Sequence, residues 1–271
     1  MHDLVAKYRY GLKRWQLVAL LLFAIVVEIF FLWLVLKIDA KDNKSRQAAL
    51  RLAVVSGNLD VVKLLVEKGA DVNARIEDGT TLLIATSICG HLDIARFLVE
   101  KGADVDAVRE NGGTALMYAS TKGHLGIVKY LIEKGADVNA FNEYGGSALT
   151  LATVNANLDT VRLLVDGGAD VNAVREDGGT VLMSASGLRK LGVMRLLVEK
   201  GADVNTSNKE GWTALMSASE MGHLEAVKYL VENGADVNAT DKDGNTALYY
   251  ANEHNHTDIT DYLKEAKANP K

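Results

Sequence analysis

The feature that most constrains this chain is a repeat of fixed length. The string Gly-Ala-Asp-Val-(Asn/Asp) begins at Gly69, Gly102, Gly135, Gly168, Gly201 and Gly234, every 33 residues and without an insertion. A second string keeps the same register, from Gly79-Thr80-Thr81-Leu82-Leu83 through Gly112-Gly113-Thr114-Ala115-Leu116 to Gly244-Asn245-Thr246-Ala247-Leu248. A third, Gly-His-Leu, recurs at Gly90, Gly123 and Gly222, with Gly57-Asn58-Leu59 as its counterpart in the first copy. Periods of this size belong to arrays whose units bury a core only against their neighbours.

Each copy translates into structure. Thr81, Thr114, Ser147, Thr180, Thr213 and Thr246 are hydroxyl N-caps ahead of short stretches rich in Ala, Leu and Met. Small residues at Ala119, Ala152, Ala185, Ala218 and Ala251 allow that first helix to approach its neighbours closely. A glycine breaks it, and a second helix follows with apolar residues at helical spacing, as in Leu92 to Val99. The Gly of Gly-Ala-Asp-Val then stops the second helix from a left-handed position. A polar turn leads to the next copy.

These residues closely resemble the ankyrin repeat, whose 33-residue unit is a β-turn followed by two antiparallel helices, opened by Thr-Pro-Leu-His. The resemblance implies an all-α solenoid of stacked helix-turn-helix units joined by hairpin tips. It spans a repeat domain over residues 44–267: an N-cap 44–76, repeats 77–109, 110–142, 143–175, 176–208 and 209–241, and a C-cap 242–267, with 268–271 as a tail. The departures are consistent. Leu82, Ala115, Ala148, Val181, Ala214 and Ala247 stand at the Pro position, and Ile84, Met117, Thr150, Met183, Met216 and Tyr249 at the His position. Repeats four and five also lose the inter-helix glycine, to Ala156 and Arg189. If that position is left-handed, a side chain there costs about 1–2 kcal/mol, so the middle of the stack is expected to be its least stable part. The C-cap carries Thr257, Thr260 and Asp261 where earlier second helices are apolar or basic, as a terminal repeat should.

Ahead of the repeats, residues 16–36 contain one charge, Glu28, flanked by Lys13, Arg14 and Trp15 before and Lys37 after. At 1.5 Å per residue they would span about 32 Å, close to a hydrocarbon core of roughly 30 Å. The run is too long, and lacks the small-residue cleavage site, for a secretory leader. It predicts a basic tail 1–14, a transmembrane signal anchor 15–37 and a linker 38–43. Lys and Arg are nearly balanced across the span; the basic tail favours a cytoplasmic N-terminus with the repeats outside the cytoplasm. Glu28, at mid-membrane depth, is a candidate for helix association.

Composition narrows the function. Taking the four basic and two acidic residues of 1–36 from totals of 30 and 35 leaves 26 and 33, an acidic body with no basic stripe for nucleic acid. His91, His124, His223 and His256 share one repeat slot, and His254 is a variable cap position, so no metal site is expected. Cys89, the single cysteine, lacks the neighbours of an activated thiol. The Gly-Gly pairs 112–113, 145–146 and 178–179 are turn residues. The expectation is a non-enzymatic scaffold with a protein partner, no cofactor and no small-molecule substrate. An accessory subunit of a membrane complex, recognised through the anchor, is the alternative.

The resemblance also implies where a partner would bind, because the family uses its turn tips and the exposed side of its first helices. By register the variable positions include Trp212 and Tyr144 as aromatic anchors. They also include Leu188, Met221 and Lys122 on the first helices, and a row of tip carboxylates, Glu77, Glu110, Glu143 and Glu176. The row favours a basic partner surface. Trp212 stands where other repeats have Gly, Thr or Asn, so the scaffold does not require it.

Overall fold

The structure is a computed structural model that describes residues 43–76 and 78–268. The chain divides into two compact units, Met1–Ala74 and Arg75–Lys271. In the first, α1 (Asn43–Ser56) packs on α2 (Leu59–Glu67), burying Ala49, Leu50, Ala53 and Val54 with Val61, Val62 and Leu65. Later first helices start on a hydroxyl. Here that position is Ala48, and α1 runs straight through it. The buried Arg46 guanidinium donates to the Lys68 carbonyl beyond the end of α2, where helix carbonyls favour a cation.

The second unit is a stack of six helix pairs. They are α3 (Leu82–Cys89) with α4 (Leu92–Glu100), α5 (Ala115–Lys122) with α6 (Leu125–Glu133), and α7 (Ala148–Val154) with α8 (Leu158–Asp166). Then come α9 (Val181–Gly187) with α10 (Leu191–Glu199), α11 (Ala214–Glu220) with α12 (Leu224–Glu232), and α13 (Ala247–Glu253) with α14 (Thr257–Ala268). Within this unit each first helix packs on its own second helix and on the adjacent first helix or helices. The alanines at 119, 152, 185, 218 and 251 are fully buried in those contacts. The residues at the lost Pro position are buried as well, and so are Ile84, Met117, Met183 and Met216 at the lost His position. Apolar packing thus replaces the signature's ring and imidazole.

Helix ends follow the sequence. Thr81, Thr114, Ser147, Thr180 and Thr213 accept a bond from the backbone N–H three residues on, whereas Thr246 makes no such cap bond. Every glycine of Gly-Ala-Asp-Val is left-handed, with φ between 85° and 97°. The other letters of that string also have roles. The Ala is buried in all six copies. The Asp carboxylate accepts from the N–H two residues on, as in Asp170 to Asn172 at 2.8 Å. The final Asn reaches the next repeat: Asn172 Oδ1 accepts from Asp203 N at 2.8 Å while its Nδ2 donates to the Gly201 carbonyl at 2.9 Å. Asn139 and Asn205 repeat the pair.

The Gly-His-Leu histidines are a second set of ties. Nε2 of His124, His223 and His256 lies 3.2, 3.1 and 2.9 Å from the carbonyls of Ile88, Gly187 and Glu220, at the ends of the preceding first helices. Asn157 does the same with Ser120 and Thr121. Between helix pairs the chain forms hairpins closed by isolated antiparallel bridges, Arg75 with Thr81, Val108 with Thr114, Phe141 with Ser147, Val174 with Thr180 and Ser207 with Thr213. Among the described residues there is no longer strand.

Among the described residues no helix is long and apolar enough to cross a membrane. That finding overturns the single-pass localisation expected from the sequence, and with it the placement of the repeats outside the cytoplasm. The run 15–37 on which that expectation rested, including Glu28, lies outside the described residues, as does Glu77.

Candidate partner-binding surface

The hairpin tips are held by side chains as well as by the bridges. Asn142 Oδ1 accepts from Tyr144 N at 3.0 Å and Gly146 N at 2.8 Å; Asn208 Oδ1 accepts from Glu210 N and Trp212 N, both at 2.9 Å. Asp78, Asn111, Asp177 and Asp241 make equivalent contacts. These bonds hold the Asp177 carboxyl below the usual range, chiefly through the Gly179 N–H and further through Arg175. Tip residues are therefore carried on a preorganised frame, which lowers the entropy cost of binding.

On that frame Tyr144 is 78% exposed, the most open large apolar side chain described. Glu110, Glu143 and Glu176 are exposed at successive tips, and among the described residues none has an ion-pair partner. Neighbouring tip charges are paired: Arg109 with Asp78, Arg175 with Asp177 at 3.2 Å, and Lys242 with Glu210 at 2.8 Å. Leu188 and Met221, the C-cap residues just after α9 and α11, are exposed and apolar, and Val154 at the end of α7 is exposed with them. Lys122, at the end of α5, is exposed too.

Trp212 stands elsewhere. It is half-buried, its ring centroid is 4.5 Å from that of Tyr250, and its Nε1 donates to Ser217 Oγ at 2.6 Å. Its indole thus joins the last two repeats. Sequence reasoning missed the exposed apolar residues of the hairpins: Val108, Phe141 and Val174, at the first bridge position of successive copies. Their signal was available, since the same register holds Arg75, Ser207 and Thr240 in other copies. His124, His223 and His256 lie on backbone carbonyls, as does His254, whose Nδ1 is 3.1 Å from that of Tyr250. Among the described residues no group of three or more His, Cys, Asp or Glu is placed to hold a metal. Cys89 is a half-buried free thiol.

A family model described as ankyrin repeats in three copies matches residues 74–142, 140–208 and 205–271, and a single ankyrin repeat matches residues 46–77. Among solved structures, the chain is similar to the ankyrin repeat domain of Bcl-3, described as a unique member of the IkappaB protein family. The two share 31% identity and a TM-score of 0.71, over 79% of this chain and 97% of that one. With the repeats matched almost end to end and the same stacked helix pairs in the structure, the chain belongs to the ankyrin repeat family.

Proposed function

We propose that this protein is a non-enzymatic scaffold that binds a partner protein through the tips and first-helix ends of its middle repeats. The observation that carries the reading is the row formed by Val154, Leu188 and Met221. These apolar side chains are exposed on packed, neighbouring helices whose remaining apolar residues are almost all buried. Nothing in the scaffold requires them, because the same register positions hold Thr121, Lys122 and Asn155 in other repeats. An apolar row flanked by polar tips is the anatomy of a protein interface, with a desolvated centre and a charged rim. The tip carboxylates supply that rim.

The test is quantitative affinity capture from cells with the wild-type chain, with Leu188→Glu/Met221→Glu, and with the control Lys129→Glu on the exposed side of α6. The reading expects captured proteins to be lost by the first variant and kept by the control. An identical set from all three would end it.

A further inference from the structure

At four of five junctions in the second unit, neighbouring hairpins are joined by a backbone hydrogen bond. Glu110 N donates to Asp78 O at 3.2 Å, Glu143 N to Asn111 O at 3.1 Å, Lys209 N to Asp177 O and Lys242 N to Glu210 O, both at 2.9 Å. The fifth junction lies between the hairpins Phe141–Ser147 and Val174–Thr180. Among the described residues, the Glu176 N–H and the Tyr144 carbonyl that would form its bond have no hydrogen-bond partner. A wedge explains the gap. At Gly112, Gly178 and Gly211 the backbone of the next hairpin lies so close that an added Cβ would meet it at 3.1, 3.0 and 2.8 Å. At Gly145 the nearest atoms belong instead to the Arg175 side chain, with Cδ at 3.3 Å from that Cβ position. The Arg175 stem occupies the place of backbone and keeps the tips apart.

What opens there is a cleft of about 540 Å³, with Phe141, Tyr144 and Val174 as its apolar lining and Glu143 and Glu176 beside them. Arg175, the one cation in the lining, is held by Asp177 through Nε and Nη2, each at 3.2 Å. The two glutamates are left to set the charge of the cleft. We propose that this cleft binds an extended, basic segment of the partner protein. Its backbone pairs with the Tyr144 carbonyl and the Glu176 N–H, and its Lys or Arg side chains lie between Glu143 and Glu176 and over the Tyr144 ring. An unpaired donor and acceptor on facing hairpins suit a strand added to an edge. A cation over an exposed tyrosine between carboxylates gains from both attractions. The proposal deepens the scaffold reading and rests on it.

A phage-displayed random dodecapeptide library, panned on the full-length chain, tests it. Selected peptides are expected to carry Lys or Arg at alternate positions and to bind more weakly as salt is raised. Glu143→Gln/Glu176→Gln should raise their Kd by about tenfold, Tyr144→Ala should also weaken them, and Glu225→Gln on α12 should leave them unchanged. Charge reversal with Glu143→Lys/Glu176→Lys should switch the selected consensus from basic to acidic, a gain of binding that an unfolded variant could not give. An acidic or uncharged consensus on the wild type, basic peptides insensitive to these substitutions, or no enrichment would overturn the proposal. Peptides lost only on Leu188→Glu/Met221→Glu would overturn the cleft while supporting the scaffold reading. Failure of the capture experiment would remove that reading itself.

Discussion

Ala156, Arg189 and Asn255 hold φ of 57°, 55° and 58°, the left-handed backbone that Gly57, Gly90, Gly123 and Gly222 supply in the other repeats. The loss of glycine at 156 and 189 is plain once copies are aligned in register, and the structure shows that the turn keeps its shape regardless. For Asn the cost is reduced because its short amide tolerates this region; for Ala it is not. Ala156 is exposed, so its methyl gains nothing from burial to offset the strain of about 1–2 kcal/mol. Glycine would relieve that strain but add freedom to the unfolded chain, worth roughly 0.4–1 kcal/mol. Ala156→Gly is therefore expected to stabilise the protein by about 0.5–1 kcal/mol, read as a higher urea midpoint at unchanged slope. A lower midpoint would show that the loop is held by something other than its backbone preference.

Between elements, the contact of α11 with α13 is built around one aromatic niche. Residue i in the hairpin and residue i+5 in the following helix fill it together: Gly113 with Tyr118, Trp212 with Ser217, Asn245 with Tyr250. An added Cβ at Gly113 would meet Tyr118 Oη at 2.9 Å, so the Tyr118 ring depends on the glycine opposite it. Register alone shows Trp212 as an optional side chain, which makes it a candidate partner anchor. Its packing role became visible only when Ser217 and Tyr250 were brought beside it. By contrast, caps, helix stops and core alanines were legible because they depend on local backbone chemistry repeated six times. The niche also has a pH signature. The Tyr250 hydroxyl donates to the Asp241 carboxylate and lowers its pKa, while burial, then that same carboxylate, pushes Tyr250 up to about 12. Tyr250's contribution is thus full below its unfolded pKa of about 10 and lost as pH rises through about 12; Asp241's is present above about 3.9 and lost as pH falls through its lowered value. Tyr250→Phe should remove this residue's share of the alkaline loss and bring the Asp241 carboxyl back up, measured by carboxyl-carbon NMR titration. An unmoved Asp241 would mean that the bond does not persist in solution.

For the whole second unit, stability is a sum over adjacent repeats, so the weakest junction decides how it comes apart. Two ties are missing at the same place. The hairpins ahead of α7 and α9 lack their backbone bond. Lys190 stands where His124, Asn157, His223 and His256 reach back to the preceding first helix, and among the described residues its side chain makes no hydrogen bond. The Asn172 pair, the exposed Lys200–Asp166 ion pair at 2.8 Å and the packing of α7 on α9 and α8 on α10 remain. Two absent bonds at roughly 0.5–1.5 kcal/mol each, beside the strained Ala156 and Arg189, make this the expected seam. In urea, amide exchange in α9 to α14 should become uncoupled from that in α3 to α8 before either segment unfolds fully. Lys190→His, which restores a ring able to reach the carbonyls at the end of α7, should draw the two profiles together. A single coincident profile in the wild type would show that helix packing alone carries the junction. The seam and the proposed cleft are one location, so a basic peptide bridging Tyr144 and Glu176 should close the same gap in exchange without any substitution. A junction left open by its own hydrogen bonds is one that a partner's backbone can complete.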